Sequence, residues 1–316
     1  MRILIAEDDV VTGRFIAESL QPWGYEPTLV HNGLEAMAVM GNENAPPIAL
    51  LDWKMPGLDG IEVCRRIRQV AGRPYTYVVL LTGMTGRETM LAGLDAGADD
   101  FLVKPVDSQE LRARLNAGRR IVVLQQQLLE AQQQLFAEAT HDGLTGLWNR
   151  AAILDLLDRE MGRSAREGHS LAVILMDLDH FKHINDTHGH LVGDKVLRET
   201  ALRLRSVLRP YDTLGRYGGE EFLVVLPGFD AARAMGLGER LRKHIAELSC
   251  KEGGVPIAVT LSLGVATWSN ATGATTALLQ LADAALYRAK AAGRNRTILA
   301  TPADAVEAAK RSNQCT

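Results

Sequence analysis

Cysteine is scarce in this chain. Its 316 residues include only Cys64, Cys250 and Cys315, an odd number set far apart. Neither a disulfide framework nor a thiolate metal site suits that spacing, so a reducing, cytoplasmic setting is expected. Long apolar runs are also missing: nothing approaches the roughly 20 residues that span a bilayer. The opening Met1-Arg-Ile-Leu-Ile-Ala-Glu7 turns acidic too soon for a secretory leader, so no membrane association is expected. Nor does either charge dominate. Thirty-five Lys and Arg against 38 Asp and Glu leave a net charge of −3, without the basic face that nucleic-acid binding favours. What is present, 47% hydrophobic and 23% charged residues, is ordinary for globular domains. The length suits two of them.

The first part alternates short apolar runs with helical periodicity. Ile3–Ala6, Pro27–Val30, Ile48–Leu51, Tyr77–Leu81 and Phe101–Val103 read as strands. Leu34–Met40, Ile61–Val70 and Met90–Ala96 read as helices between them. Five βα units predict a parallel sheet covered on both faces, with ligands bound outside the carboxyl ends of its strands. Glu7, Asp8, Asp52, Thr82 and Lys104 all fall at those ends. Helix capping accounts for Asp9 but not for three carboxylates converging on one edge.

Asp52-Trp-Lys-Met-Pro-Gly-Leu-Asp-Gly60, Leu81-Thr82-Gly83 and Ala96-Gly-Ala-Asp-Asp-Phe101-Leu-Val-Lys104-Pro105 resemble the receiver domain of response regulators, over the whole of this first part. The resemblance implies a flavodoxin-like fold and a phosphoacceptor. Glu7, Asp8, Asp52 and the Lys54 carbonyl would hold one divalent cation, Mg²⁺ or Mn²⁺. Asp52 would take a phosphoryl group from a cognate histidine kinase. Lys104 would pair with the acyl phosphate, Thr82 would donate to it, and Phe101 would be the switch aromatic. Glu7 stands where many members have Asp, and Gly83 leaves the phosphate more open to water.

From Asp107 the pattern becomes helical and runs on. Ile121, Leu124, Leu128, Ala131, Leu135 and Glu138 repeat at spacings of three and four, with no Gly or Pro from Arg119 to Thr140. That is the mark of a short coiled-coil stalk. Glutamines rather than opposed charges flank the seam, which leaves partner and register weakly specified. A single helix packed against its own domains is the competing reading.

In the second part, Leu171–Met176 is a continuous apolar run that ends in Asp177-Leu178-Asp179. Farther on, Arg216-Tyr217-Gly218-Gly219-Glu220-Glu221-Phe222 reads as a hairpin whose glycines permit positive φ and close approach to the backbone. A carboxylate at a strand end facing a carboxylate pair suits a hard cation such as Mg²⁺.

The stretches Asp177-Leu-Asp-His-Phe-Lys-His-Ile-Asn185-Asp-Thr-His-Gly-His-Leu-Val-Gly-Asp194 and Arg216–Phe222 resemble the GGDEF domain of diguanylate cyclases. Asp142-Gly-Leu-Thr-Gly-Leu-Trp-Asn-Arg150, Leu261-Ser-Leu-Gly-Val265 and Ala285-Leu-Tyr-Arg-Ala-Lys290-Ala-Ala-Gly-Arg294-Asn295 agree with it. The likeness covers roughly 140 to 300 in five motifs. It implies condensation of two GTP into cyclic di-GMP and two pyrophosphates, in a nucleotidyl cyclase-like α/β domain with a mixed sheet. Asp177, the Leu178 carbonyl and Glu220 would hold metal, and Glu221 would be a further ligand or the base, two roles that sequence does not separate. Amides near Phe181 and Lys182, with Lys290 and Arg294 one helical turn apart, would take phosphates. Asn185 and Asp194 would read guanine, whose N1 and amino donors suit a carboxylate and argue against adenine.

Because each site would hold one substrate, the resemblance also implies a homodimer, which the stalk could supply. Arg209-Pro-Tyr-Asp212 has the spacing of the family's inhibitory product site, with Arg240 a further contributor from a partner domain. The bland reading of that pair is a surface ion pair at a helix end. His180, His183, His188 and His190 match no zinc-finger spacing. The expected organisation is a receiver over 1–120, a helical stalk over 107–140 continuous with its last helix, a GGDEF domain over 141–300 and a disordered tail over 301–316. The competing functional reading is a catalytically silent receptor for GTP or cyclic di-GMP.

Overall fold

The computed structural model describes residues 1–301 and 304, apart from 43, 71, 84–86, 248–249, 253–254 and 269–273. The chain is α/β and falls into two compact units, Met1–Gln134 and Leu135–Thr316. The disordered tail expected from 301 lies mostly outside the described residues. Its described members, Thr301 and Asp304, are tied down: buried Asp304 accepts from Arg288 Nη2 at 2.7 Å and from the Thr301 amide at 2.5 Å.

In the first unit, β1 (Arg2–Ala6), β2 (Glu26–Val30), β3 (Ile48–Asp52), β4 (Tyr77–Thr82) and β5 (Asp100–Val103) form a parallel sheet in the order β2-β1-β3-β4-β5. Helices α1 (Val10–Leu20), α2 (Gly33–Met40), α3 (Gly60–Gln69) and α4 (Arg87–Asp95) connect the strands. Side chains alternate across the sheet. Ile3 and Ile5 join one core with Leu50, Val79 and Leu81, while Leu4 and Ala6 join another with Leu51, Val78 and Leu80. Both faces are therefore apolar, and the reactive groups are left to the strand ends. Asp9, Asn32 and Asp59 cap α1, α2 and α3 by accepting from the amides of Thr12, Glu35 and Glu62.

Helix α5 (Ser108–Thr140) is 33 residues long, about 50 Å at 1.5 Å per residue. Leu111, Leu115, Gly118 and Val122 are buried on it. Beyond them Leu124, Leu128 and Leu135 are 63%, 54% and 65% exposed. The leucines at the expected seam positions are therefore largely exposed.

The second unit adds α6 (Arg150–Glu167), β6 (Leu171–Leu178), α7 (Phe181–His188), α8 (His190–Val207), β7 (Thr213–Arg216), β8 (Glu221–Pro227) and α9 (Ala231–Ala246). A two-stranded ribbon of β9 (Cys250–Glu252) and β10 (Val255–Ile257) follows, then β11 (Leu261–Trp268), α10 (Thr275–Ala291) and β12 (Thr297–Leu299). The main sheet runs β12-β11-β6-β8-β7 and is mixed, with β12 parallel to β11 and the other pairings antiparallel. Ala172, Ile174, Met176 and Leu178 of β6 face α7, α8 and α9. Leu171, Val173 and Leu175 face α6 and α10. Continuing that alternation puts Asp177 on the α10 side, directly across from Glu221 in register.

No helix among the described residues is long and apolar enough to cross a membrane. Gly264 sets how close α10 comes to the sheet: a Cβ there would lie 2.1 Å from the Ala282 carbonyl oxygen and 2.4 Å from the Leu286 amide. Backbone cannot yield as a flexible side chain can. Gly264→Ala is therefore expected to destabilise the second unit by about 1–3 kcal/mol or more, read as a lower Tm for that unit's transition in calorimetry.

Candidate active site and phosphoacceptor pocket

In the first unit, β1 ends in Glu7 and β3 in Asp52, and neighbouring strands bring them together. Ligand atoms of Glu7, Asp8 and Asp52 all lie within 4.8 Å of one another. Glu7 and Asp52 are buried, and Lys104 Nζ, just past β5, reaches Glu7 Oε1 and Asp52 Oδ1 at 2.7 Å each. Burial pushes both carboxyls above their usual range. Burial also works against the Lys104 ammonium, but its hydrogen bonds to Asp52 and Glu7 outweigh that and keep it protonated. Glu7 Oε2 is buried with no hydrogen-bond partner, a costly state for a carboxylate oxygen unless a cation meets it. An all-oxygen donor set with that orphaned atom fits a hard divalent ion. Thr82 is buried at the end of β4, Phe101 is half-buried against the α3 side of the core, and Lys54 is exposed on the loop after Asp52.

In the second unit, Asp177 is 7% exposed and forms an ion pair with Lys290 Nζ at 2.7 Å. Glu220 sits on the hairpin tip and Glu221 opens β8. Burial and then the Asp177 charge raise both glutamates above the ordinary carboxylate range. Asp177 is itself raised, chiefly by burial. Among the described residues these three do not close into a tight metal-ligand group as Glu7, Asp8 and Asp52 do. The donors are hard oxygens, and Mg²⁺ needs only one or two carboxylates beside phosphate and water, so the residues fit such an ion. Leu178 closes β6, and its amide donates to the Glu220 carbonyl at 3.2 Å, which ties the hairpin tip to the strand end.

Two sequence expectations need correction. Lys290 and Arg294 do not share a helix face, because α10 ends at Ala291 and Arg294 lies beyond it with φ 61°, between Gly293 at 104° and Asn295 at 45°. Four-residue spacing implies a shared face only while the helix lasts. Arg294 still lies near enough to Asp177 to lower that carboxyl's pKa in part. Second, neither Gly218 nor Gly219 takes a left-handed backbone. A Cβ on Gly218 would sit 2.6 Å from Glu221 Oε2, so a side chain there would displace the Glu221 carboxylate, while nothing lies within 4 Å of one on Gly219.

Sequence reading passed over what braces the hairpin. Arg216 donates from Nε and Nη2 to the Gly219 carbonyl at 3.0 and 2.7 Å, and from Nη1 to both Asp142 oxygens at 3.1 Å. Asp142 also accepts from Thr145, and these contacts together hold its carboxyl below the usual range despite burial. Two motifs 74 residues apart are thereby clamped together. The opposite charges were the available signal, but nothing in the spacing pairs them.

The helix α7 begins at Phe181 behind His180, a non-glycine residue at φ 57° with no capping side chain, so the first amides lack a cap. Phe181 is buried and Lys182 exposed. Asn185 lies inside α7 and Asp194 inside α8, so neither is a cap. Both are half-buried. Asn185 Oδ1 is buried without a partner, and a Cβ on Gly193 would come within 1.8 Å of it. Arg209 and Asp212 line a groove of about 360 Å³ with His141, Trp148 and Arg205. They make no ion pair among the described residues: Asp212 accepts from the Arg209 amide at 2.9 Å, and the guanidinium stacks over Phe229 at 5.2 Å. Arg240 lies on the exposed face of α9.

Comparison with known proteins follows this division. A family model for the diguanylate cyclase GGDEF domain matches residues 139–296, half of the chain, and one for the response regulator receiver domain matches 3–116. The chain is 32% identical over 299 residues to the response regulator PleD of Caulobacter vibrioides, covering 94% of this chain and 65% of PleD. It is 41% identical over 217 residues to the diguanylate cyclase DgcP of Pseudomonas aeruginosa, covering 66% of this chain and 32% of that one. Among solved structures, the coiled coil and GGDEF domain of DgcB from Caulobacter crescentus, in complex with c-di-GMP, superposes with a TM-score of 0.55 at 35% identity. That match covers 60% of this chain and 99% of DgcB's.

The clamp at Arg216 carries a direct test. The ion pair is largely sheltered, with its side chains 17% and 21% exposed. Arg216→Ala is expected to cost the second unit about 1.5–3 kcal/mol, as for hydrogen bonds to charged groups. Urea titration should show that loss, and Asp142→Asn, which keeps the Gly219 contacts, should cost less.

Proposed function

The chain belongs to the response regulators that join a receiver domain to a GGDEF domain, and on that premise we propose that it is a diguanylate cyclase switched on by phosphorylation of Asp52. The observation that carries the reading is the placement of Asp177, Glu220 and Glu221 at one strand end, with only Lys290 in ion-pair contact with them among the described residues. A site poised for triphosphate and cation would look this way.

The reaction joins the 3′-oxygen of one GTP to the α-phosphorus of the other. The bond from that phosphorus to the bridging oxygen breaks and pyrophosphate leaves; the same step in reverse roles closes the ring. Diguanylate cyclases of this family are generally dependent on a divalent metal. Asp177, the Leu178 carbonyl and Glu220 would hold Mg²⁺ or Mn²⁺, which when bound offsets phosphate charge and acidifies the hydroxyl. Glu221, whose carboxyl is held above its usual range by burial and then by the Asp177 charge, would serve as the base or as a further ligand. Lys290 would turn from Asp177 to a phosphate oxygen. Arg294 and the amides of Phe181 and Lys182 would take the others. The unpartnered Asn185 oxygen and the Asp194 carboxylate offer acceptors for the donors of guanine.

One nucleotide per domain requires two domains to face each other, so the active form is a homodimer. The exposed Leu124, Leu128 and Leu135 supply a seam for it. In the receiver, a histidine kinase would deliver the phosphoryl group to Asp52. Lys104 would then pair with the acyl phosphate rather than with Asp52 and Glu7, Thr82 would donate to it, and Phe101 would report the change. Cyclic di-GMP would return to Arg209 and Asp212 as feedback inhibitor, with Arg240 contributed by a partner domain.

Incubation with GTP and Mg²⁺, followed by chromatography, tests the central claim. Cyclic di-GMP should form and rise with beryllofluoride, and Asp52→Asn should make without beryllofluoride the same amount as with it. Glu220→Ala should lower the rate about 100-fold or more, the usual scale for losing a group that stabilises developing charge. No product under any condition would favour the silent receptor. Arg209→Ala should abolish inhibition by added cyclic di-GMP with the initial rate nearly unchanged; retained inhibition would refute the product site.

A further inference from the structure

The carboxylate of Asp179 is 5% exposed and touches no cation among the described residues. It is nevertheless fully engaged. Oδ1 accepts from Ser262 Oγ at 2.7 Å, and Oδ2 accepts from Thr260 Oγ1 at 2.7 Å and from the Asn295 amide at 3.0 Å. The Asp179 amide in turn donates to the Thr260 carbonyl at 2.9 Å. One side chain therefore fastens together three segments distant in sequence: the end of β6, the start of β11 and the turn between α10 and β12.

Two of those segments carry residues assigned above to the triphosphate. Two residues before Asp179 is Asp177, and two after it is Phe181, the first residue of α7 with its uncapped amides. The fastened turn holds Gly293, Arg294 and Asn295 at φ 104°, 61° and 45°. Left-handed backbone is unfavourable for a non-glycine residue, so the turn persists because contacts over-determine it. The contacts are the Asp179 bond to the Asn295 amide, a bond from Arg242 Nη1 to Asn295 Oδ1 at 2.8 Å, and the Arg294 amide to the Ala289 carbonyl at 3.0 Å.

From this geometry we infer that Asp179 is the positioning residue of the triphosphate subsite, setting the Arg294 turn and the α7 amides in register with Asp177. It touches no substrate; it acts through the elements that do. The inference rests on the cyclase reading for the identity of the nucleotide, and it names a residue whose loss should uncouple phosphate recognition from base recognition.

The test compares two probes on the full chain in Mg²⁺ buffer: GMP, and a GTP analogue with a methylene bridge between the α- and β-phosphorus. Asp179→Ala should weaken the analogue by about tenfold or more, the scale of one lost charge-assisted phosphate contact, and shift GMP by less than about twofold. Asp179→Asn keeps an acceptor for Thr260 and Asn295 and should restore most of the difference. A general loss of structure would lower Tm and weaken both probes alike, and that outcome overturns the proposal, as does an unchanged preference for the analogue. Should Asp179→Ala not fold, the double variant Thr260→Val with Ser262→Ala removes two of the three donors and should show the same selective loss. Product formation by the wild type is scored separately. A chain that makes no cyclic di-GMP refutes the cyclase reading, while the ratio of the two affinities still decides the role of Asp179.

Discussion

A carboxylate at the closed end of an apolar strand is expensive to keep charged, and both units of this protein are built around that expense. Removing such a group from water costs several kcal/mol unless a partner compensates. In the first unit the compensation for Asp52 is Lys104 at 2.7 Å, and in the second the compensation for Asp177 is Lys290 at 2.7 Å. Neither lysine neutralises all the acid around it. Glu7 keeps an orphaned oxygen, and Glu220 and Glu221 remain raised by burial and by Asp177. The result in each case is a net deficit of positive charge at a fixed place, which cation and phosphate chemistry together can fill.

Holding that deficit in place falls to the residues around it. Strand alternation directs Asp177 and Glu221 to the same side of the sheet, and Gly264 lets α10 come close enough for Lys290 to reach. Arg216 braces the hairpin against Asp142, while Asp179 fastens the opposite edge. These braces consist of satisfied hydrogen bonds, with donors and acceptors drawn from segments far apart in sequence. They explain how the acid-rich tip is held in one geometry.

The helix α5 is a different kind of element. Its first turns bury Leu111, Leu115 and Val122, and its later turns leave Leu124, Leu128 and Leu135 to solvent. Exposed leucines at heptad spacing are costly for a solitary helix and useful for a paired one. With glutamines flanking the seam, such pairing would be weakly specified in register.

Much of this was legible before any coordinates. The five strands of the first unit, the apolar strand from Leu171 to Met176 and the acidic strand ends follow from local periodicity, which a chain of this composition expresses directly. So does the uninterrupted helix of the stalk. What tertiary structure decided was where helices stop and which distant groups meet. The end of α10 at Ala291 took Arg294 off the face of Lys290, because a left-handed turn held from outside the helix overrode a favourable spacing. Gly218 has no left-handed φ and instead leaves the place where the Glu221 carboxylate sits. The pairing of Asp142 with Arg216 and of Asp179 with Asn295 leaves no periodic trace. Such contacts join residues whose separation along the chain is set by everything folded between them.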